Sequence, residues 1–101
     1  MGRIVFEEYR GSGTQNNSYV QVFNIEKLVL RTEDSTTSTT AESITVSGET
    51  NLLRIYSSEA HRIASVSAQT GNGGAYITTP ADGYIELAVA PGDEIFYRTD
   101  V

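Results

Sequence analysis

Cysteine is absent from this 101-residue chain, so neither disulfides nor thiolate metal sites contribute, and cysteine usage carries no signature of a redox compartment. Lysine is nearly absent as well: Lys27 is the only one among seven basic residues, which face thirteen acids for a net charge of −6. A surface that tracks phosphates needs clustered lysine and arginine, so nucleic acid is not an expected partner, and a basic protein surface is a better match. Histidine occurs once, at His61. That excludes every multi-histidine metal site and leaves a single imidazole as a general base. No Gly-x-Ser-x-Gly elbow accompanies the many serines, and His61 reads as a surface residue at the start of a strand, without a function. No window approaches the roughly eighteen apolar residues of a membrane span, so no membrane association is expected. The opening Met1 to Glu8 is too short and too acidic for a signal peptide, and the chain is expected to be made in a cytoplasm and not exported by the usual route.

The carboxylates form no convincing catalytic or metal-binding set. Glu7 and Glu8 are adjacent on a strand pattern and should point to opposite faces. Glu33-Asp34 and Asp93-Glu94 lie in or beside turns, where acids hydrogen-bond locally, and no calcium loop pattern is present. The Gly71-Asn72-Gly73-Gly74 loop is followed by neither Gly-Lys-Ser/Thr nor a helix, so it reads as a flexible hairpin loop and not as a phosphate cradle. No catalytic residue, cofactor or metal is expected, and the chain is read as a non-enzyme.

What is present is period-two alternation broken by turn residues, the pattern of a sheet that is half buried. Arg3 to Arg10 predicts a first strand, with Ile4 and Phe6 on one face and Val5 and Tyr9 on the other. Tyr19 to Arg31 predicts either two strands joined by a bend or bulge, or one long strand passing between two environments. Glu42 to Ser47 and Leu52 to Tyr56, joined through Gly48, read as a hairpin with Gly48 available for a positive φ. Pro80 to Gly83 and Pro91-Gly92 are turns, the second with proline and glycine placed for type II geometry. The expected fold is all-β: a single antiparallel β-sandwich over residues 1–101, jelly-roll-like, with about eight short strands. Residues 1–18 are assigned to an extended amino-terminal arm, and 32–41, with the run Ser35 to Thr40, to a flexible Ser/Thr-rich loop.

Thr79-Pro80-Ala81-Asp82-Gly83-Tyr84 through Ala90-Pro91-Gly92-Asp93-Glu94-Ile95, preceded by Leu53-Arg54-Ile55 and the glycine-rich loop, resembles a recurrent type of small tailed-phage virion protein. The likeness covers residues 51–98. It implies a β-sandwich of the capsid decoration or cement type, located on the virion and made in the host cytoplasm. Such a protein binds the major capsid protein and stabilises the head, as a homo-oligomer that is a dimer or trimer. Arg3, Phe6 and Tyr9 are expected to anchor the first strand on a neighbour by edge pairing. Tyr84, Glu86, Phe96 and Arg98 are expected to form a lateral interface. The alternative is a carbohydrate-binding or host-attachment β-module of a phage tail or fibre, motivated by the tyrosines and the polar loops. An acidic inhibitor of a host protein is a third reading.

Overall fold

The computed structural model describes residues 3–14, 22–34 and 40–100, with side chains over 3–10 and 40–100. In chain order its elements are strands β1 (Ile4–Thr14), β2 (Val22–Asp34), β3 (Glu42–Thr45), β4 (Leu52–Ser57) and β5 (His61–Ala64), a short 3-10 turn (Ser67–Thr70), and strands β6 (Ile77–Thr78), β7 (Gly83–Ala88) and β8 (Glu94–Thr99). They form two antiparallel four-stranded sheets, ordered β2-β1-β4-β7 and β3-β8-β5-β6. No helix among the described residues is long and apolar enough to cross a membrane.

The alternation of β1 and β4 sends Ile4, Phe6, Leu53 and Ile55 to one face of the first sheet. There they meet Ile63, Ile95 and Tyr97 of the second sheet and Val46 of the β3–β4 connection in a single buried cluster. The Phe6 and Tyr97 rings lie 5.0 Å apart between centroids and are tilted by 55°. Two sheets sharing one apolar core have the arrangement a β-sandwich requires. Each of these side chains contributes roughly 1.5–3 kcal/mol through burial.

The long apolar run forms one strand, β2. Its pairing with β1 slips between Glu8 and Tyr9 and again between Arg10 and Gly11, which leaves Val29 and Glu26 of β2 as the extra residues. The run is therefore one long strand, as in the second alternative, with the bulges of the first lying inside it. Residues 19–21 lie outside the described residues.

Three expectations are corrected. The segment assigned to an extended arm is, over 4–14, an interior strand: β1 pairs with β2 on one side and with β4 on the other, so it offers no free edge to a neighbour. Residues 15–18 lie outside the described residues. The Ser/Thr-rich loop assigned to 32–41 begins later, because β2 runs to Asp34; residues 35–39 lie outside the described residues. Finally, β3 and β4 are not a hairpin. β3 pairs with β8 and β4 with β1 and β7, so Ser47 to Asn51 carries the chain from one sheet to the other. Gly48 does not adopt a positive φ there.

That crossover accounts for a charged residue at an inward position. Glu8 follows Ile4 and Phe6 on the core side of β1 and is almost wholly buried. Its Oε1 accepts hydrogen bonds from the Ser47 backbone N–H at 2.8 Å and from the Thr50 hydroxyl at 2.7 Å. A crossing chain exposes polar groups to the core, and Glu8 satisfies two of them at once. Glu7 lies on the opposite face, as adjacent strand positions dictate.

The turns match their residues with one exchange. Gly92 has φ +85°, as the Pro91-Gly92 turn needs. In the other proline turn Asp82, not Gly83, takes the left-handed conformation, at φ 55°. Gly83 is needed for closeness instead, since a Cβ there would come within 2.8 Å of Pro80 Cγ. Gly74 is the tightest of the described glycines: a Cβ would press on the Gln69 backbone, 2.6 Å from its carbonyl carbon. Gly74→Ala is expected to lower stability by about 1–3 kcal/mol, the range for a forced backbone shift. An unchanged thermal melting midpoint would show that the loop gives way freely.

Candidate binding surface

The outer face of the first sheet is a lattice of three rows set by strand register. Val5, Tyr56 and Tyr84 form one row, Glu7, Arg54 and Glu86 the next, and Tyr9, Leu52 and Ala88 the third. A row of charge thus runs between two rows of rings and aliphatic groups. Arg54, at the centre, reaches Glu86 Oε2 through Nε at 3.0 Å and Nη2 at 2.6 Å. Its guanidinium also lies 5.3 Å from the centroid of the Tyr84 ring and 5.6 Å from that of Tyr9. The Arg54 pKa is raised above the usual guanidinium range. The hydrogen bond that Arg54 donates to Glu86 contributes most and partial burial opposes it, while the negative charges of Glu86 and Glu7 and the nearby Tyr9 add to the rise. An exposed pair of this kind contributes at most about 1 kcal/mol to stability, so its main effect is to hold the guanidinium in place.

Around this lattice lies a shallow depression of about 490 Å³, lined by Arg3, Val5, Glu7, Arg54, Tyr56 and Tyr84. Of its lining, Val5 is buried, whereas Tyr84 is 60% and Tyr56 38% exposed. Large rings left open beside fixed charged groups are the composition of a recognition surface.

The sequence-predicted contact residues divide three ways. Arg3, Tyr9, Tyr84 and Glu86 share this outer face. Phe6 is fully buried in the core and is not a contact residue; the correction follows from β1 being an interior strand, with Phe6 on its inward face. Phe96 and Arg98 alternate with the inward Ile95 and Tyr97 on β8, which sets them on the outer face of the second sheet. Tyr84 and Glu86 therefore do not join Phe96 and Arg98 in one lateral interface; the two pairs occupy opposite sides of the molecule. Arg98 Nε is buried without an acceptor among the described residues. Arg54 and Tyr56 were not singled out by the sequence, because their membership depends on cross-strand register and not on anything local.

The one histidine is also corrected. His61 is buried, not on the surface, with 1% exposure. Its Nδ1–H donates to the Glu59 carbonyl at 2.8 Å, and its backbone exchanges hydrogen bonds with Thr79, whose hydroxyl meets that of Ser57 at 2.7 Å. Arg62 beside it is buried too. Its Nε donates to Asp100 Oδ1 at 2.8 Å and its Nη1 to the Thr70 carbonyl at 3.0 Å, while Tyr76 lies against the guanidinium with the ring centroid at 4.8 Å. Together these bonds tie β5 to the 3-10 turn and to the residue that follows β8. Among the described residues no three His, Cys, Asp or Glu side chains gather as metal ligands. Comparison with protein-family models, curated proteins and solved structures returns no match.

Proposed function

We propose that this protein is a non-enzymatic virion component of the decoration type, which binds the major capsid protein and stabilises the head as a homo-oligomer. The observation that carries the reading is the separation of aromatic and charged groups onto two opposite outer faces, with Arg3, Tyr9, Tyr84 and Glu86 on one and Phe96 and Arg98 on the other. A protein that sits on a lattice needs one face for the joint and leaves the other exposed to the surroundings. The second sheet is the docking side in this reading: Phe96 supplies apolar area, and Arg98, half-buried beside it on the outward face of β8, supplies a guanidinium for a capsid carbonyl or carboxylate. The resemblance of residues 51–98 to small phage virion proteins supports the same assignment.

We infer a jelly-roll topology within the sandwich. With the order β2-β1-β4-β7 over β3-β8-β5-β6, five of the seven links between successive strands pass from one sheet to the other, and only β1–β2 and β5–β6 stay within a sheet. That connectivity supports a jelly roll in which β1 fills the place beside β4.

Co-sedimentation with emptied capsids that lack this protein tests the function. Association at micromolar concentration is expected, with Arg98→Ala weakening it by about tenfold or more, the effect of losing one central interface residue. Failure of the unaltered protein to associate overturns the proposal. Association that Arg98→Ala leaves intact and Tyr84→Ala abolishes would reverse the choice of docking face.

A further inference from the structure

We propose that the depression on the outer face of the first sheet is a binding site for a neutral saccharide. This goes beyond the capsid reading and is independent of it, since it concerns the isolated protein and the opposite side of the sandwich. Three features carry it. The first is the pair of exposed rings: Tyr56 and Tyr84 are direct cross-strand partners, and they present a continuous aromatic strip at the edge of the depression. Cross-strand neighbours stand roughly 4.5–5.5 Å apart at Cβ, so the C–H faces of one or two adjoining sugar rings span the strip. The second is a set of fixed polar groups beside those rings. Arg54 is held by Glu86 through Nε and Nη2, which leaves Nη1–H groups without a hydrogen bond to another described residue. Glu7 brings an acceptor and Arg3 further donors to the same lining. Vicinal hydroxyls, each both donor and acceptor, match a surface that offers planar donors next to a carboxylate.

The third is charge balance. Two guanidinium groups, Arg3 and Arg54, stand with two carboxylates, Glu7 and Glu86, so the site has no net sign and favours a neutral polyol over an anion. The whole chain carries −6, which further disfavours a sialylated or sulfated ligand. At about 490 Å³ the depression falls within the roughly 300–1,000 Å³ of small-molecule sites. Being open on one side, it suits a segment of a longer glycan more than an enclosed monosaccharide.

The test is titration of ¹⁵N-labelled protein with cellobiose, maltose and lactose, alongside sialyllactose as the anionic probe. At least one neutral disaccharide is expected to give saturable amide shifts centred on Val5, Glu7, Arg54, Tyr56 and Tyr84. Tyr84→Ala should weaken its affinity about tenfold, as loss of one stacking ring does, and Tyr84→Phe should stay within about twofold of the unaltered protein. Val66→Ala, exposed but outside the depression, serves as the control and should change nothing. Tyr84 is largely exposed, so neither Tyr84 variant should perturb the spectrum away from the site. No saturable shift with any of the three, shifts centred elsewhere, binding indifferent to Tyr84→Ala, or binding of sialyllactose alone would each overturn the proposal. A capsid-binding failure would leave it standing, and failure of sugar binding would leave the capsid reading standing.

Discussion

Phe6→Ala should destabilise the protein by about 3–5 kcal/mol, the usual cost of emptying a phenylalanine site in a well-filled core. The ring is fully buried and packs, tilted by 55°, against Tyr97 at 5.0 Å between centroids, across the space between the two sheets. Small domains hold only about 5–15 kcal/mol in total, so the variant should unfold at a much lower urea midpoint with an unchanged slope. The same measurement separates two roles for this residue. A core residue loses stability, and its capsid association falls only as far as the folded fraction falls. A loss below about 1 kcal/mol, with capsid binding abolished, would return Phe6 to the interface where the sequence alone had assigned it.

The second large effect is expected at Arg62. Replacing it with methionine preserves most of the aliphatic stem but removes the donors to Asp100 and to the Thr70 carbonyl, together with the contact to the Tyr76 ring. Breaking a fully buried ion pair costs about 3–5 kcal/mol; because the Asp100 side chain is 31% exposed and partly solvated, about 2 kcal/mol is the better expectation here. Arg62→Lys should recover little of it, since an ammonium cannot address three partners arranged around a planar fork. Hydrogen exchange localises the effect: the amides of Ser67–Thr70 should lose protection ahead of the core strands. Uniform loss across both sheets, or none, would mean that the guanidinium does not hold this turn.

Alternation alone was enough to assign Ile4 and Phe6 to one face of β1 and Val5 and Tyr9 to the other, because a strand's side-chain period is a local property. The turn at Pro91-Gly92 was legible for the same reason. What was hidden depended on partners distant in sequence. Gly48 marks a reversal, but nothing near it says whether the flanking strands pair with each other or enter different sheets. Whether Arg3 to Arg10 lies at an edge or inside a sheet is decided by β2 and β4, and the free-edge role given to it failed there. His61 looked like a surface residue beside an arginine; its burial is set by Thr79, eighteen residues on, and by the bonds Arg62 makes to Thr70 and Asp100. The candidate binding surface was half visible. Tyr84 and Glu86 could be read from one strand, but Arg54 and Tyr56 joined them only once β4 and β7 were in register.

The interleaving of the two sheets also constrains the route by which this chain folds. β1 waits for β4, and β8, made after every other described strand, fills the gap between β3 and β5. The first layer is complete in strands once β7 is made, but the second cannot close before β8, so the core between the two sheets stays open until that last described strand is available. Contacts of such long range place folding on the millisecond-to-second scale of β-sandwiches, not the microseconds of helical bundles. A chain truncated before Glu94 should accordingly remain protease-sensitive, whereas the chain of residues 1–101 should be resistant.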